Sequence, residues 1–201
     1  FATGYSPDTS IVDRIGYSND TITASLRGPL SVARRKTDAV GNEDFGYWAG
    51  GRTGPNFSTV DRLDYSTDTT AAVAKGPLLA AKFAVAGVGN KDFGYFGGST
   101  GPSPSYATLS VIERLDYTND TGITIEKGPL SVAKYESAAA GNPNYGYFMG
   151  GMAPVKSSVD RIDYSNDTTT ASPKGPLSAA NGYVEGLGNA SYGYVDAGWT
   201  P

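Results

Sequence analysis

The 201-residue sequence contains no cysteine and no histidine. These absences exclude disulfides, thiolate zinc or iron–sulfur sites and imidazole metal ligands. They also exclude Ser–His and Cys–His nucleophile pairs, which removes most familiar active sites. We therefore expect no cofactor, no metal ion and no catalytic residue in this chain.

Basic residues are also in short supply, with 16 Lys and Arg against 20 Asp and Glu and a net charge of −4. Binding to a phosphate backbone usually needs a broad excess of positive charge, so a nucleic-acid partner is disfavoured. No apolar run approaches the length of a membrane-spanning helix, and we expect no membrane insertion.

Glycine and proline, by contrast, are abundant, with 27 and 12 residues. This content is high for a helical protein but typical of many short strands joined by tight turns. With 39% apolar residues the chain can still bury a core. The composition therefore favours an all-β fold.

Four motifs recur in the same order along the chain: an acidic residue before arginine, Gly-Pro-Leu, Gly-Asn, and an aromatic residue before Gly-Tyr. Their four copies begin at residues 13, 61, 113 and 160; at 28, 76, 128 and 175; at 41, 89, 141 and 188; and at 45, 93, 145 and 192. A period of about 50 residues is too long for leucine-rich or ankyrin units. We predict one domain over 1–201, with repeat units of about 1–30, 31–78, 79–130 and 131–177, and with 178–201 completing the unit begun by 1–30.

Each repeat is predicted to contain four strands bounded by glycine, proline or Asn-Asp turns. In the last copies these strands are 178–187 (innermost), 192–198, 159–164 and 168–174, and Tyr-Ser-Asn-Asp-Thr turns join strands three and four. Four antiparallel strands per repeat are typical of a propeller blade.

The stretch from Gly94 to Lys134 has a double glycine at 97–98, the strand Val-Ile-Glu-Arg-Leu-Asp-Tyr at 111–117, and Lys-Gly-Pro-Leu-Ser-Val-Ala-Lys at 127–134. In this order the motifs resemble a kelch repeat. The resemblance covers essentially the whole chain and implies a β-propeller. Where kelch units usually carry a closing tryptophan, this chain has Thr70, Ile123 and Thr169 or a neighbour, which implies lighter packing of the blades.

Repeats that combine Tyr-Ser-Asn-Asp-Thr with Gly-Pro-Leu-Ser are also similar to those of predicted virion-associated proteins of marine bacteriophages. This second resemblance implies an extracellular or virion-surface location. It also admits assembly into a virion or a homo-oligomer.

The two ends of the chain carry complementary parts of one repeat. The chain opens with part of a second strand (1–4) and then strands three (11–17) and four (20–27), whereas it closes with strands one and two. We therefore predict a small four-bladed β-propeller with kelch-like blades, closed by pairing of the N- and C-terminal strands. A fragment of a larger propeller, or a ring completed by a second chain, remain alternatives. Small residues such as 84, 86–87, 138–141, 182, 186 and 188 suit the narrow axis of such a ring.

The loops between strands two and three and between strands four and one lie on one face of such a ring, and this face varies most between copies. At the start of each inner strand the copies carry Arg34, Lys82, Lys134 and Asn181, a position that matches the kelch site where arginine often lines the channel mouth. Three cations around one axis would attract an anionic group. We predict that the ligand-binding residues are Arg34, Arg35, Lys82, Lys134, Tyr135 and Asn181. Alternatively, the cations are solvated or paired with Asp38, Glu136 and Glu185.

Two other acidic features favour structural roles. The acidic–Arg pairs recur in every copy, which favours a scaffold network over a site. The Asp163–Asp167 segment offers oxygen ligands for calcium but lacks the spacing, glycine and final glutamate of an EF-hand, so turn chemistry is favoured.

The leading functional hypothesis is a non-enzymatic binding or structural module that recognises a glycan or a protein with its variable face. A purely architectural subunit of a larger assembly is the alternative. A glycoside hydrolase is least favoured, because its only nominal carboxylates are Asp8, Asp38, Glu136 and Glu185 and no pair among them stands out from the repeats.

Overall fold

Five antiparallel sheets make up the structure, a computed structural model that describes residues 8–196 and 198–200. The N-terminal hairpin pairs β1 (Asp13–Arg14) with β2 (Ser25–Leu26). Sheet A contains β3 (Asp38–Gly41), β4 (Phe45–Ala49), β5 (Val60–Asp64) and β6 (Val73–Ala74). Sheet B contains β7 (Ala86–Gly89), β8 (Phe93–Thr100), β9 (Thr108–Asp116) and β10 (Ile125–Lys127). Sheet C contains β11 (Ala138–Gly141), β12 (Tyr145–Met149), β13 (Val159–Asp163) and β14 (Ser172–Lys174). The C-terminal hairpin pairs β15 (Gly186–Gly188) with β16 (Gly193–Val195).

In sheets A, B and C each strand pairs with the next strand of the chain. The all-β prediction and the antiparallel arrangement of four strands per repeat are therefore confirmed for these three sheets. Among the described residues the helices are three-residue 3₁₀ turns, at Tyr65–Thr67, Tyr117–Asn119 and Tyr164–Asn166. Within that part of the chain no helix has the length and apolar character needed to cross a membrane.

Asparagine and aspartate side chains shape the turns. Asn42 Oδ1 accepts hydrogen bonds of 2.9 Å from the N–H groups of Asp44 and Phe45 between strands one and two. Asp64 Oδ1 accepts from Ser66 N–H at 2.8 Å, where the 3₁₀ turn joins strands three and four. The equivalent residues of sheets B and C repeat both arrangements. These Asn-Asp segments are thus turns stabilised by their own side chains.

The hydrophobic core lies between neighbouring sheets. One cluster joins sheets A and B and includes the buried residues Tyr47 and Leu115, and a second joins sheets B and C around Tyr95 and Phe148. Tyr47 and Tyr95 come from the aromatic-Gly-Tyr motif and are fully buried. In these two copies the motif therefore supplies core.

Innermost strands of neighbouring sheets pack closely on one another, which requires small side chains. A Cβ on Gly87 would lie 2.9 Å from the carbonyl oxygen of Ala39, and one on Gly186 would lie 2.5 Å from that of Ala139. A larger side chain at either glycine would force the strands apart. The predicted need for small residues at these positions is confirmed.

Several predicted strands are longer than the observed ones. The predicted strand 178–187 is reduced to β15, because Tyr183 has a φ of 56° and so interrupts an extended chain. Predicted strands 11–17 and 20–27 shrink to β1 and β2, 168–174 shrinks to β14, and 192–198 shrinks to β16. The predicted partial strand 1–4 lies outside the described residues.

The predicted pairing of the terminal strands is not present among residues 8–196 and 198–200. There β1 pairs only with β2, and β16 pairs only with β15. The N-terminal hairpin is held on sheet A by ion pairs from Arg14 and Arg27 to Asp68, and β15 packs on β11 of sheet C. Ring closure therefore stays a prediction.

Candidate binding cavity

Arg34, the first cation of the predicted site, lies fully buried against sheet A. Its guanidinium forms an ion pair of 2.7 Å with Asp61 and donates to the carbonyl oxygens of Gly50 and Trp48 at 2.8 and 3.2 Å. Asp61 belongs to the second acidic–Arg pair and is itself fully buried. The carboxylate of that pair is thus the internal counter-ion of Arg34.

The next two copies repeat this buried pair. Lys82 is paired with Glu113 in sheet B. Lys134 is paired with Asp160 at 3.0 Å in sheet C and donates to Ser158 Oγ at 2.9 Å. Burial lowers the pKa of Lys134, and the nearby carboxylate of Asp160 opposes that shift. The scaffold role predicted for the acidic–Arg motif agrees with this arrangement.

These three cations therefore do not surround an open channel, which corrects the placement predicted for them. Arg34, Lys82 and Lys134 are each at most 4% exposed. Their partners also differ from the alternative set of Asp38, Glu136 and Glu185. A charge that leaves water needs a partner at hydrogen-bonding distance, and each of these cations has one on the third strand of its own sheet. Ligand binding by these residues stays a prediction.

The other three predicted site residues lie nearer the surface. Arg35 is half-buried and forms an ion pair with Asp8. Tyr135 is half-buried, and burial together with nearby Tyr183 raises its pKa. Asn181 donates to the carbonyl oxygen of Asp196 at 3.2 Å. The structure therefore separates the six predicted residues into an interior set and a peripheral set.

A cavity of about 580 Å³ lies just beyond the buried pairs, and all four repeats line it. Each repeat contributes the two or three residues that open its innermost strand: 36–38, 84–85, 136–137 and 183–185. The strand-two-to-three loops lie on the same side, since isolated bridges pair Arg35 with Arg52 and Phe83 with Thr100. The face expected to vary between copies is thus the face that carries the cavity.

One residue from each repeat faces this cavity in the left-handed backbone conformation. These equivalent residues are Lys36, Ala84, Glu136 and Tyr183, with φ values of 58°, 56°, 49° and 56°. Successive backbone hydrogen bonds join them: Ala84 donates to Lys36, Glu136 to Ala84 and Tyr183 to Glu136, at 3.0, 3.3 and 3.1 Å. This chain of bonds fixes the four residues around a common space.

Side chains at these positions interact across the cavity. Lys36 forms an ion pair with Glu136, two repeats away, and both side chains are about one-fifth exposed. Lys36 Nζ also lies 5.4 Å from the centre of the Tyr183 ring and 5.9 Å from that of Phe83. A cation held over aromatic rings is stabilised by their negative faces.

Two further carboxyl groups stand on the side of the cavity formed by the first and last repeats. Asp38 accepts a hydrogen bond of 2.8 Å from Gly87 N–H, and burial raises its pKa to about 6. Burial and the neighbouring carboxylates, above all Asp38, raise the pKa of Glu185 to about 7. Near neutral pH, Glu185 can therefore act as a hydrogen-bond donor or acceptor while Asp38 is mostly ionised.

Ser137 adds an uncommitted hydroxyl to the cavity lining. The residue is 6% exposed, and its Oγ has no hydrogen-bond partner among the described residues. An unsatisfied buried polar atom costs free energy unless a ligand or water completes it. The cavity thus offers carboxyl, hydroxyl, ammonium and phenol groups.

At its rim the cavity has an aromatic and cationic cluster. The guanidinium carbon of Arg52 lies 4.5 Å from the centre of the Phe83 ring and 5.4 Å from that of Tyr106. The two rings meet edge to face at 6.3 Å. Arg52 and Tyr106 come from loops between strands two and three, so this cluster belongs to the variable face.

In each repeat the cavity-facing position lies two residues after the predicted binding position. Position 34 and its equivalents are occupied by cations or an amide, which suggested a channel lining, whereas position 36 carries four unrelated residues. That lack of repetition was the available signal. Asp38, Glu136 and Glu185 had been considered only as counter-ions or nominal catalytic carboxylates.

No protein-family model matches the sequence, and a search of curated proteins returns no match. The kelch and bacteriophage resemblances accordingly depend on the residues quoted for them.

Proposed function

We propose that the chain is a non-enzymatic recognition module that binds its ligand in the cavity lined by the four repeats. A single observation carries this proposal. The cavity-facing position carries lysine, alanine, glutamate and tyrosine in its four copies, whereas the framework motifs around it are nearly constant. Ligand recognition requires particular side chains at particular places, whereas a scaffold position can carry the same side chain in every repeat.

The backbone at this position supports the same proposal. Left-handed conformations of non-glycine residues cost roughly 1–3 kcal/mol each, and glycine would avoid that cost. All four copies nevertheless carry a side chain there. Such retained strain is typical of positions whose side chains serve a ligand.

The chemistry of the cavity favours a glycan. Its volume of about 580 Å³ is typical of a site for a small ligand or the end of a chain. The side chains of Asp38, Ser137 and Glu185 offer hydrogen bonds to hydroxyl groups, and Tyr183 offers a half-exposed ring for stacking. A protein segment is the alternative ligand for the same face.

We extend the proposal to the architecture. The N-terminal hairpin would supply the outer two strands, and the C-terminal hairpin the inner two, of a fourth kelch-like blade in a closed propeller. The shared cavity supports this, since Lys36 of the first complete repeat lies close to Tyr183 of the last. The family resemblances favour an extracellular or virion-surface setting.

A glycan array, followed by titration of the best ligand, tests the binding proposal. The paired variant Lys36→Met/Glu136→Gln keeps the side-chain volumes but removes both charges, and we expect affinity to fall at least tenfold. Lys91→Met is the control, because Lys91 lies in a turn and pairs with exposed Asp92. Equal affinity in the paired variant and the control would contradict the proposal, as would an array without any ligand.

The architectural alternative has its own observation. Strands β1 and β16 each leave one edge unpaired among the described residues, and an exposed edge can pair with another chain. Light scattering separates the two proposals. A recognition module is expected to be a monomer, whereas an architectural subunit forms an oligomer or a filament.

A further inference from the structure

The junction between sheets A and B follows a clear pattern. Asp120, in the turn of sheet B, forms ion pairs with Arg62 and Lys75 of sheet A at 2.7 and 3.3 Å. The Tyr47 hydroxyl donates a hydrogen bond of 3.1 Å to the same carboxylate. Tyr117 from the same turn stacks on Tyr47 with ring centres 5.1 Å apart. One turn therefore supplies both an anion and a ring to the sheet before it.

The junction between sheets B and C repeats this pattern. Asp167 forms ion pairs with Arg114 at 2.8 Å and Lys127 at 3.1 Å, and it accepts a hydrogen bond of 2.9 Å from the Tyr95 hydroxyl. Tyr164 stacks on Tyr95 with ring centres 5.0 Å apart. At both junctions the turn of one repeat thus supplies a carboxylate and a stacked tyrosine to the repeat before it.

Sheet C has the equivalent side chains on the side of the C-terminal hairpin, but in the part of the chain that the structure describes β15 and β16 are not followed by a turn that could contact them. Tyr147, Arg161 and Lys174 are the equivalents of Tyr47, Arg62 and Lys75. Among the described residues neither Arg161 nor Lys174 forms an ion pair with a carboxylate. The equivalent cations of sheets A and B each form one, at distances of 2.7 to 3.3 Å.

A backbone contact is missing at the same place. In three copies the glycine of Gly-Pro-Leu donates its N–H at 2.8 Å to the carbonyl of the next turn's aspartate: Gly28 to Asp68, Gly76 to Asp120 and Gly128 to Asp167. Gly175 makes no such bond within the described part of the chain. A Cβ on it would meet nothing within 4 Å, whereas one on Gly128 would collide with Thr169.

We call the side of sheet C and the C-terminal hairpin that carries Tyr147, Arg161, Lys174 and Gly193 the seam. It also contains a cavity at the place where the other sheets hold a tyrosine. A Cβ on Gly94 of sheet B would lie 2.9 Å from Tyr117 Oη, but one on the equivalent Gly193 would meet only Ala140. Beside Gly193 a cavity of about 210 Å³ opens, lined by Tyr147, Met149 and Tyr192 among others. We call it the tyrosine socket.

One turn of the chain carries the matching groups and makes no such contact. Tyr17 and Asp20 are the equivalents of Tyr117 and Asp120, yet Tyr17 is 96% exposed and Asp20 has no ion pair among the described residues. We propose that the turn 17–20 of the same chain docks at the seam, with Tyr17 in the tyrosine socket and Asp20 between Arg161 and Lys174. This interface would bring β1 alongside β16.

The structure favours the chain's own turn over that of a second copy. The N-terminal hairpin is already anchored on sheet A through Asp68, and the segments of the first and last repeats line the same central cavity. A tethered partner at such short range has a high effective concentration. The inference rests on the proposed four-bladed arrangement, but it needs no ligand to test.

An engineered disulfide tests the docking. Because the chain has no native cysteine, only the two introduced cysteines can form it. In sheet C, Asp160 lies opposite Phe148 across the third and second strands. The equivalent pair at the seam is Asp13 and Val195, whose Cα atoms would be about 4.5–5.5 Å apart, within disulfide range. We expect Asp13→Cys/Val195→Cys to form an intramolecular disulfide under mild oxidation.

The control pair is Ile15→Cys/Val195→Cys, which is two residues out of register and beyond the range of about 7 Å. It should stay reduced, and near-ultraviolet circular dichroism checks that both variants fold. If the cysteine pairs of both variants stay reduced in folded protein, or if disulfide-linked dimers form, docking by the chain's own turn is wrong. Binding of a ligand by the central cavity is measured separately, so either proposal can fail without the other.

A second measurement uses the turn itself. Tyr17→Ala removes the ring expected in the tyrosine socket, and we expect the melting temperature to fall by roughly 2–4 °C. Asp20→Asn should also lower it, less so in high salt. Glu43→Gln in the exposed turn of sheet A is the matched control. Melting temperatures of Tyr17→Ala and Asp20→Asn equal to that of the control would contradict the docking.

Discussion

Arg34 and Lys36 are two residues apart, and both pair with a carboxylate, yet they belong to different layers of the molecule. Arg34 is fully buried in a pair with Asp61, and the same pair recurs in sheets B and C. Lys36 reaches Glu136 across an open cavity, and its equivalents are an alanine, a glutamate and a tyrosine.

The difference shows how a repeat protein can separate stability from recognition. Positions that hold one sheet together face the same neighbours in each copy, so the same chemistry recurs. Positions around the common axis face each other, and four different side chains there produce one asymmetric surface. A ligand is therefore expected to contact the layer whose side chains differ between repeats.

Breaking the buried layer should give the largest effect. Lys134→Met leaves Asp160 buried without its counter-ion, and such a loss typically costs about 3–5 kcal/mol in unfolding free energy. Chemical denaturation measures it. Lys91→Met, which removes an exposed pair with Asp92, should cost less than about 1 kcal/mol.

The double variant Lys134→Met/Asp160→Leu tests the physical cause. Because it removes both buried charges, it should recover much of the stability lost in Lys134→Met. A double variant as unstable as the single one would show that shape, not charge, dominates at this position.

The cavity layer should give a smaller effect that depends on pH. Folding raises the pKa of Asp38 from 3.8 to about 6 and that of Glu185 from 4.5 to about 7. The folded protein therefore binds protons more tightly than the unfolded chain. The resulting stability is complete below the ordinary pKa values and is lost as pH rises through about 6 and 7.

Melting temperatures at pH 5 and pH 8 check this dependence. We expect the higher value at pH 5, and we expect Asp38→Asn and Glu185→Gln each to narrow the difference. Glu43→Gln, in an exposed turn, should leave the difference unchanged. A wild-type protein more stable at pH 8 would contradict the raised pKa values.

Much of the framework was predictable because it depends on local chemistry. Asn42 and Asp64 accept hydrogen bonds from residues two or three positions along the chain, and such turns are recognisable in sequence. Small residues on the inner strands were also predictable, because a four-bladed ring would bring these strands close together and leave no room for bulky side chains.

The site was less predictable because it depends on distant partners. Asp61 follows Arg34 by 27 residues, and only the sheet brings them together. The left-handed conformation of Lys36 has no sequence signal either, since glycine is the residue that normally marks such a position. An unbroken strand was therefore predicted through 178–187, and the cavity-facing position was missed.

Removing a cavity side chain altogether should have the smallest effect on stability. Tyr183→Gly relieves a left-handed conformation at a half-exposed residue, so we expect the free energy of unfolding to change by no more than about 1 kcal/mol. Val184→Gly is the matched control one residue later, and because Val184 is buried it should cost roughly 2 kcal/mol or more. Denaturant titration compares the two variants. If Tyr183 serves a ligand and not the fold, its variant should lose affinity while remaining nearly as stable as the wild type. A loss of stability as large as that of Val184→Gly would instead place Tyr183 with the framework.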